Sequence, residues 1–362
     1  MGDSFISGEA GRWYGNAAPW SAGHRYGTDR AANNCWEWAS WCSHDPSAVY
    51  GDSHRTGCHR SDTAEIMSAD LGPGIQRINL ACSGATTDNV LRAAQGGLPF
   101  KGEEPQADQL ARAARTHDIK LIVLSIGGND LGFTDIITDC VKGFMVPTGN
   151  WHCTPGQNGR LETALKETQA KVARTLGDIR AVMGQAGYSA NSYRLVLQSY
   201  PSPVPRGGDN RYPETYARFS TGGCPLFDDD ATWARDSVVP RISTMLKKAA
   251  REEGTPFLDL QDAFDGKEVC SMGTTQATGK NTPADRLPGH QAEWVRFLVT
   301  VGSQGSAQES IHPNAYGQQA LGHCLTLLWH QQPHDTVACR NTPDGGPQDM
   351  NLQPALKVGV EK

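Results

Sequence analysis

Apolar runs of strand length recur along the chain and are separated by segments with helical periodicity. The longest run, at residues 119–126, is almost continuously apolar, as expected for a strand that is covered on both faces. Shorter runs at 75–82, 193–197 and 257–260 predict three more strands, of which the one at 257–260 is the last clear one. The pattern therefore predicts a sheet whose strands are distributed over most of the chain.

Helices are predicted between and after these strands. The predicted segments are residues 62–71, 87–94, 107–117, 161–183, 232–253 and 314–329. Asp62 and Glu65 have the spacing of a capping box at the start of the first helix. Pro240 should either kink the helix at 232–253 or occupy a first turn.

Strands that alternate with helices indicate a parallel sheet with helices on both faces. No internal repeat and no break in composition divides the sequence, so we expect a single domain over residues 1–340. The segment 341–362 is polar and is expected to form a frayed tail. In such a sheet ligands bind beyond the carboxyl ends of the strands, so the functional residues are expected there.

The segment at residues 9–60 is rich in Gly, Asn and Trp and shows little periodicity. Long irregular segments inside a domain are usually functional or held by disulfides. Trp36, Trp38 and Trp41 could form a platform for an acyl chain or a sugar, but aromatic residues under a long loop more often fill a small core. We favour the core interpretation.

Composition argues against nucleic-acid binding, a membrane span and a calcium site. The 362 residues carry a formal net charge of −6, which leaves no basic surface for nucleic acid. No stretch reaches the roughly 18 consecutive apolar residues of a membrane-spanning helix. The acidic run Asp228-Asp229-Asp230 lacks the spaced ligands of a calcium loop, so we interpret it as a solvated turn or helix cap and expect no metal.

The cysteines indicate disulfides. There are ten, at positions 35, 42, 58, 82, 140, 153, 224, 270, 324 and 339, without the paired Cys-x-x-Cys spacing of a structural zinc site. So many cysteines in Gly- and Pro-rich loops favour disulfides and an oxidising compartment over buried free thiols. We predict the pairs Cys140–Cys153, Cys224–Cys270 and Cys324–Cys339. Among Cys35, Cys42, Cys58 and Cys82 three pairings remain open.

Four short blocks carry the candidate chemistry. They are Gly-Asp-Ser at residues 2–4, Cys-Ser-Gly-Ala at 82–85, Gly-Gly-Asn-Asp at 127–130 and His-Pro-Asn at 312–314. Each block follows a predicted strand or begins the last helix, so all four should meet beyond one edge of the sheet. A serine hydroxyl becomes a good nucleophile only when a base lies within hydrogen-bond reach. His312 supplies an imidazole that could activate Ser4.

In this order the four blocks resemble those of the SGNH (GDSL-type) serine hydrolases, among them secreted actinobacterial esterases and lipases. The resemblance spans nearly the whole chain. It implies a three-layer α/β/α, flavodoxin-like fold with a central parallel sheet and long disulfide-stapled loops. It also implies an oxyanion hole formed by the backbone N–H groups of Ser4 and Gly84 and the side-chain amide of Asn129.

The group that orients the histidine has two candidates. The family commonly places an aspartate three residues before the histidine, and this position is Glu309 here. Some members use instead a backbone carbonyl two residues before the histidine, which here belongs to Ser310. We favour Glu309, which gives a predicted triad of Ser4, His312 and Glu309.

The start of the chain bears on the compartment. No signal peptide precedes Met1, although the cysteines and the resemblance both imply a secreted, extracellular protein. A Gly-Asp-Ser turn of this kind normally follows a buried strand. We therefore expect Met1 to be a strand residue and the first strand to be truncated at Met1.

Together these observations predict a serine hydrolase of the lipase or esterase type that cleaves carboxylic esters through an acyl-enzyme on Ser4. We expect no cofactor, a monomeric chain, and a small-molecule, lipid or glycan ester as substrate. Two alternatives remain, a carbohydrate O-acetylesterase and a catalytically silent glycan-binding module. The presence of Ser4, Gly84, Asn129 and His312 argues against the silent module.

Overall fold

The chain folds as a mixed α/β structure. The computed structural model describes residues 1–17, 34–35, 42–43, 46–146, 151–278, 281, 285–299, 306–332 and 336–354, and of residues 34–35, 42–43, 48 and 154–158 it describes the backbone only. Within these ranges the strands are β1 (Asn34–Cys35), β2 (Cys42–Ser43), β3 (Leu121–Leu124), β4 (Arg194–Gln198), β5 (Phe257–Asp259), β6 (Val337–Arg340) and β7 (Asn351–Pro354).

The helices of the described ranges vary widely in length. They are α1 (Ser4–Ser7), α2 (Ser47–Tyr50), α3 (Ser53–Thr56), α4 (Glu65–Ser68), α5 (Thr87–Val90), α6 (Gln106–Thr116), α7 (Phe133–Met145), α8 (Thr154–Gln185), α9 (Asp228–Trp233), α10 (Val239–Glu252) and α11 (Ala315–Gln331). Short 3₁₀ helices cover Ala93–Gln95, Gly207–Asp209 and Ala307–Glu309, and π-helical turns cover Arg218–Gly222 and Ala234–Val238.

The central sheet has the order β3-β4-β5-β6-β7. Strands β3 to β6 are parallel, and β7 pairs antiparallel with β6 at the edge. The α8 helix packs against α6 and α10, while α11 packs against α4. The apolar run in β3 is buried at Ile122, Val123 and Leu124, as expected for a strand covered on both faces. The predicted α/β/α fold with a mostly parallel sheet is confirmed.

The first three residues lie beside β3. Gly2 forms a parallel bridge with Ser125, and the Asp3 N–H donates to the Ser125 carbonyl at 3.1 Å. A Cβ on Gly2 would lie 1.8 Å from that carbonyl oxygen, so only glycine permits this approach. The predicted strand at 75–82 is wrong. Its described contact with this edge is a single bond from the Cys82 N–H to the Gly2 carbonyl, which is too little to make a ladder.

The helix predicted at 87–94 is only the single turn α5 (Thr87–Val90), and two further helices differ from the prediction for physical reasons. The helix expected at 62–71 is only the turn α4, because the Glu65 carboxylate accepts from Gln198 Nε2 and does not close a capping box with Asp62. The helix expected at 232–253 is divided by a π-helical turn. Pro240 lies in the first turn of α10, directly after this π-helical turn, where the regular pattern of helical hydrogen bonds is already interrupted.

The chain after α11 is more ordered than the sequence suggested. The tail expected to fray from residue 341 includes β7, which pairs with β6 from Asn351 to Pro354. Val337 also pairs with Leu258 of β5, so β5 is not the last strand. The division into one domain at 1–340 and a tail, and the truncation of a first strand at Met1, stay predictions.

Four disulfides are present in the described part of the chain. The predicted pairs Cys140–Cys153, Cys224–Cys270 and Cys324–Cys339 are confirmed. Cys58 pairs with Cys82, which selects one of the three open pairings. The Cα atoms of Cys35 and Cys42 are partners in the β1–β2 pair.

Trp36, Trp38 and Trp41 lie outside the described residues, so their predicted role as a small core stays a prediction. Among the described helices, none combines the length and the apolar character needed to cross a membrane.

Candidate active site

Ser4 is the first residue of α1 and sits directly after the segment that pairs with β3. The Asp3 side chain caps the helix by accepting from the Phe5 N–H at 3.1 Å, which stabilises the turn. Gly8 ends the helix in the left-handed conformation after a single turn. This tight turn holds the Ser4 side chain at the carboxyl end of the sheet.

His312 lies against Ser4. Its Nε2 is 2.7 Å from the Ser4 Oγ, and its Nδ1 is 2.8 Å from the Ser310 carbonyl oxygen. A carbonyl oxygen can only accept, so this contact requires the proton on Nδ1 and leaves the Nε2 lone pair directed at Ser4. The Phe5 ring packs on the imidazole with centroids 5.0 Å apart. Ile311, which lies between Ser310 and His312 in the sequence, adopts a left-handed φ of 61° that turns the His312 ring back toward the Ser310 carbonyl.

Two opposing effects act on the imidazole. Burial lowers the pKa of His312 below its ordinary value, because the charged form is disfavoured away from water. The Glu9 carboxylate and the hydrogen bond to Ser310 oppose this and raise the pKa. Glu9 is itself buried and accepts from His59 Nδ1 at 2.9 Å. Burial would raise the pKa of Glu9, but the bond to His59 and its charge outweigh burial and lower it.

Glu309 does not take the place expected for the third member of a triad. Its Oε1 accepts from the Tyr50 hydroxyl at 3.1 Å and forms an ion pair with Arg12 at 3.1 Å. Its Oε2 accepts from Trp13 Nε1 at 2.7 Å and from the Ser306 N–H at 3.1 Å. Burial raises the pKa of Glu309, and the Arg12 guanidinium opposes this. The carboxylate thus ties Ser306 to the segment at residues 12–13, and the Ser310 carbonyl occupies the position beside His312.

Gly84 and Asn129 approach Ser4 from two other loops. Gly84 has a φ of 85°, which suits glycine, and it lines the same cavity as Ser4 and His312. In the part of the chain that the structure describes, the N–H groups of Ser4 and Gly84 have no hydrogen-bond partner. Asn129 Nδ2 donates one hydrogen to the Ala85 carbonyl at 2.9 Å, which leaves its second hydrogen for a ligand. Three donors are therefore available around Ser4.

A buried network connects the Ser4 turn to the Asn129 loop. The Tyr200 hydroxyl donates to the Asp3 carboxylate and accepts from the Gly128 N–H at 3.1 Å. Burial raises the pKa of Asp3 to about 7, while the Tyr200 bond lowers it. Asp130 anchors the neighbouring loop by accepting from the Thr87 N–H at 3.0 Å at the start of α5. These bonds fix Ser4 and Asn129 relative to each other.

One cavity of about 520 Å³ is lined by four of the predicted site residues, namely Ser4, Gly84, Asn129 and His312. Beyond Ser4, its walls are mostly apolar and come from α7, α10 and the segment before residue 300. These apolar lining residues are Phe133, Ile137, Val239, Ile242, Leu298 and Val299. A cavity of this size, with a few convergent polar groups at one end, is typical of a small-molecule site.

The sequence did not single out several residues of the site. Glu9 follows the Gly-Asp-Ser block by five residues, and Lys101 lies on a turn beside Gly84. The apolar pattern of α10 predicted a helix but carried no signal that this helix forms the cavity, and the helix α7 was not predicted. Only the proximity of Glu9 to the first block could have identified it.

Two groups of residues in the described chain carry side chains of the kind that bind metals. Asp228-Asp229-Asp230 forms the first turn of α9, so the helix begins before the predicted residue 232, and Asp230 is buried and not solvated. Among the described residues, one cluster brings Cys140, Cys153 and Asp230 together. Both cysteines belong to a disulfide, so they offer no thiolate to a metal.

Comparison with known proteins gives a consistent result. Residues 47–320 match the GDSL-like lipase/acylhydrolase family, a span that includes Gly84, Asn129, Glu309 and His312 and begins after Ser4. The chain is similar to Lipase 2 of Streptomyces coelicolor, with 23% identity over 257 residues, 70% of this chain and 72% of that protein. An esterase of Streptomyces scabiei is 28% identical over 245 residues, 60% of this chain and 66% of the esterase.

A solved structure also resembles this one. It is an extracellular lipase from Streptomyces rimosus, which aligns with 78% of this chain and 94% of its own length. The sequence identity is 21% and the TM-score is 0.44.

Proposed function

Because this chain belongs to the GDSL-like lipase/acylhydrolase family and is a carboxylic ester hydrolase, we propose that it cleaves esters through an acyl-enzyme on Ser4. The observation that carries the proposal is the 2.7 Å contact between His312 Nε2 and Ser4 Oγ. This distance is within the range that proton transfer requires. The exclusion of Glu309 from the imidazole makes the catalytic pair a Ser4–His312 dyad, with the Ser310 carbonyl as the orienting group.

In the first half of the reaction, His312 Nε2 takes the proton of Ser4 as Oγ attacks the ester carbonyl carbon. Negative charge develops on the carbonyl oxygen. The N–H groups of Ser4 and Gly84 and the Asn129 amide stabilise this oxyanion, since each has a hydrogen without a partner among the described residues. When the tetrahedral intermediate collapses, the bond to the alcohol oxygen breaks and His312 returns its proton to that oxygen.

In the second half, a water molecule takes the place of the alcohol. His312 removes a proton from the water as its oxygen attacks the acyl carbon of the Ser4 ester. The same three donors stabilise the second tetrahedral intermediate. Collapse then breaks the bond to Ser4 Oγ, which recovers its proton from His312, and the carboxylic acid leaves.

The cavity favours an acyl chain over an acetyl group as the acid part of the substrate. Its apolar walls include Phe133 and Ile137 of α7 and Val239 and Ile242 of α10. With an acetyl ester bound these side chains would remain in contact with water, whereas a longer acyl chain would cover them. Burial of each further methylene in such a site contributes about 0.8 kcal/mol. We therefore infer a lipase or esterase activity in preference to a carbohydrate O-acetylesterase.

A series of p-nitrophenyl esters from acetate to palmitate tests this proposal. We expect kcat/KM to rise from acetate to a chain of intermediate length, because each methylene adds apolar contact until the cavity is full. Ser4→Ala is the control, with an expected loss of at least about 10³-fold on every ester. Activity on acetate alone would favour the O-acetylesterase, and full activity of Ser4→Ala would refute the acyl-enzyme.

Secretion is a further part of the proposal. The described residues contain four disulfides, and disulfides form and persist mainly in oxidising compartments. Alkylation of the unreduced protein, followed by mass spectrometry, should find few or no reactive thiols. Modification of most of the ten cysteines would contradict secretion.

A further inference from the structure

Lys101 lines the active-site cavity together with Ser83 and Gly84. Its Nζ donates to the Ser83 carbonyl at 2.7 Å and to the Gly57 carbonyl at 2.6 Å. The residue is half-buried and has a left-handed φ of 50° in the turn between Phe100 and Glu103. Non-glycine residues adopt this conformation at some cost, and such strain is concentrated at functional sites.

The Ser83 carbonyl is the other end of the peptide unit that carries the Gly84 N–H. A hydrogen bond to the carbonyl oxygen of an amide draws electrons toward that oxygen and makes the N–H a stronger donor. The effect is larger when the donor is charged. Lys101 therefore acts on the same N–H that the proposed mechanism directs at the oxyanion.

The surroundings leave the charge of Lys101 directed at this peptide. Within the described residues, no carboxylate lies within ion-pair distance of Nζ, and its acceptors, the Gly57 and Ser83 carbonyl groups, are neutral. Glu103, the nearest acidic residue in the sequence, is bonded to Arg60. Burial lowers the pKa of Lys101, and the more distant Glu9 carboxylate opposes this.

Lys101 also joins the two segments that the nearby disulfide connects. Gly57 precedes Cys58, and Ser83 follows Cys82. The Lys101 Nζ and the disulfide therefore hold the same two segments of the chain together. The Ser83 N–H closes this unit by donating to the Cys58 carbonyl at 3.0 Å. The orientation of the Gly84 peptide thus depends on three independent contacts, of which only Lys101 carries a charge.

We propose that Lys101 is a positioning residue that strengthens the Gly84 N–H as an oxyanion donor through the Ser83 carbonyl. This inference rests on the proposed function. It assigns to Lys101 an effect on the transition state, where the oxyanion is charged, and little effect on the bound substrate, where the carbonyl oxygen is neutral. The effect should consequently appear in kcat and not in KM.

The test compares Lys101→Met and Lys101→Gln, which are neutral, with Lys101→Arg, which keeps the charge. The control is Lys120→Met, which removes a half-exposed lysine that pairs with Asp118 away from the cavity. We expect both neutral variants to lower kcat about 10- to 100-fold with KM nearly unchanged. Lys101→Arg should retain most of kcat, and Lys120→Met should match the wild type.

A second measurement uses octylboronic acid, which forms a negatively charged tetrahedral adduct on a nucleophilic serine. Its Ki should rise in the neutral variants by the same factor by which kcat falls, while Lys101→Arg and Lys120→Met bind it as the wild type does. Thermal unfolding establishes that each variant is folded, and if Lys101→Met does not fold, Lys101→Gln carries the test.

Three results would overturn the inference. Wild-type kcat and boronate affinity in the neutral variants would show that Lys101 does not act on the oxyanion. Recovery by Lys101→Gln equal to that by Lys101→Arg would show that the residue acts as an uncharged tether. A rise in KM with constant kcat would indicate substrate binding. In each case labelling of Ser4 by a fluorophosphonate distinguishes failure of this inference from failure of the proposed function. If the proposed function holds, Ser4 is labelled in all variants, whereas an unlabelled Ser4 would refute the proposed function itself.

Discussion

The Nδ1 of His312 lies 2.8 Å from the carbonyl oxygen of Ser310, the residue two positions before it. A carbonyl fixes the tautomer of the imidazole without adding a full negative charge. The carboxylate one residue earlier, Glu309, is held by Arg12, Trp13 and Tyr50. Glu309, which the sequence favoured as a catalytic group, therefore stabilises the fold and does not orient the imidazole.

Glu309→Gln should destabilise the protein more than it slows the reaction. The amide weakens the buried ion pair with Arg12, at an expected loss of about 3 kcal/mol in the free energy of unfolding. At a temperature where the variant is folded, kcat should change only a few-fold. Urea denaturation and steady-state kinetics on one p-nitrophenyl ester measure the two effects.

The matched control for this variant is Glu293→Gln, which alters another buried carboxylate that binds an arginine, Arg211, at 2.7 Å. Glu293 does not line the cavity in the described part of the chain. The two variants should resemble each other in both measurements. A loss of about a hundredfold or more in kcat for Glu309→Gln alone, with unchanged stability, would restore the triad.

The acidic limb of the pH–rate profile should depend on Glu9. His312 must be neutral to accept the Ser4 proton, so kcat/KM falls as pH drops through the pKa of His312. Burial lowers this pKa below 6.5, and the Glu9 carboxylate raises it. Glu9→Gln removes a negative charge that favours the imidazolium, so the midpoint of the acidic limb should move to lower pH.

Profiles of kcat/KM against pH for the wild type, Glu9→Gln and Glu309→Gln check this. The wild-type midpoint should lie below the ordinary imidazole value, and Glu309→Gln should leave it in place. A midpoint that responds to Glu309→Gln and not to Glu9→Gln would show that Glu309, and not Glu9, raises the pKa of His312.

The Cys58–Cys82 disulfide should matter for activity as well as stability. It lies next to the Ser83–Gly84 peptide, and the Cys58 carbonyl accepts from the Ser83 N–H. Replacing both cysteines by alanine should cost about 2–4 kcal/mol of stability. Misplacement of the Gly84 donor should also lower kcat about tenfold or more.

The Cys324–Cys339 disulfide provides the comparison, because it joins α11 to β6 and does not contact the cavity lining in the described residues. Its removal should lower the unfolding temperature similarly and leave kcat of the folded enzyme unchanged. Equal kcat losses in both double variants would mean that general loosening explains the effect.

The sequence predicted the parts of this structure that depend on local patterns. The apolar run of β3, the helical periodicity of α6 and α8, and the first and last catalytic blocks all carry their signal within a few residues. Parallel strands end at one edge of the sheet, so Ser4 and His312 could be brought together from 308 residues apart without knowledge of any contact.

Other features depend on geometry that no local pattern encodes. Glu309 and Ser310 are both near His312 in sequence, and the left-handed turn at Ile311 decides which of them reaches the ring. Strand β7 is only four residues long and lies at an edge, and Leu352 is its one aliphatic residue packed against the core, so the sequence carries too short an apolar pattern to predict it. Lys101 gave no signal because its function depends on a contact with Ser83, which is 18 residues away.

The central claim is that Ser4, activated by His312, is the nucleophile. The most direct measurement is labelling of the folded enzyme with a fluorophosphonate, followed by peptide mass spectrometry. We expect one adduct per chain, located on Ser4, and much slower labelling of His312→Ala, because that variant lacks the base that lies 2.7 Å from Ser4 Oγ. An adduct on a different serine, with Ser4 unmodified, would contradict the account.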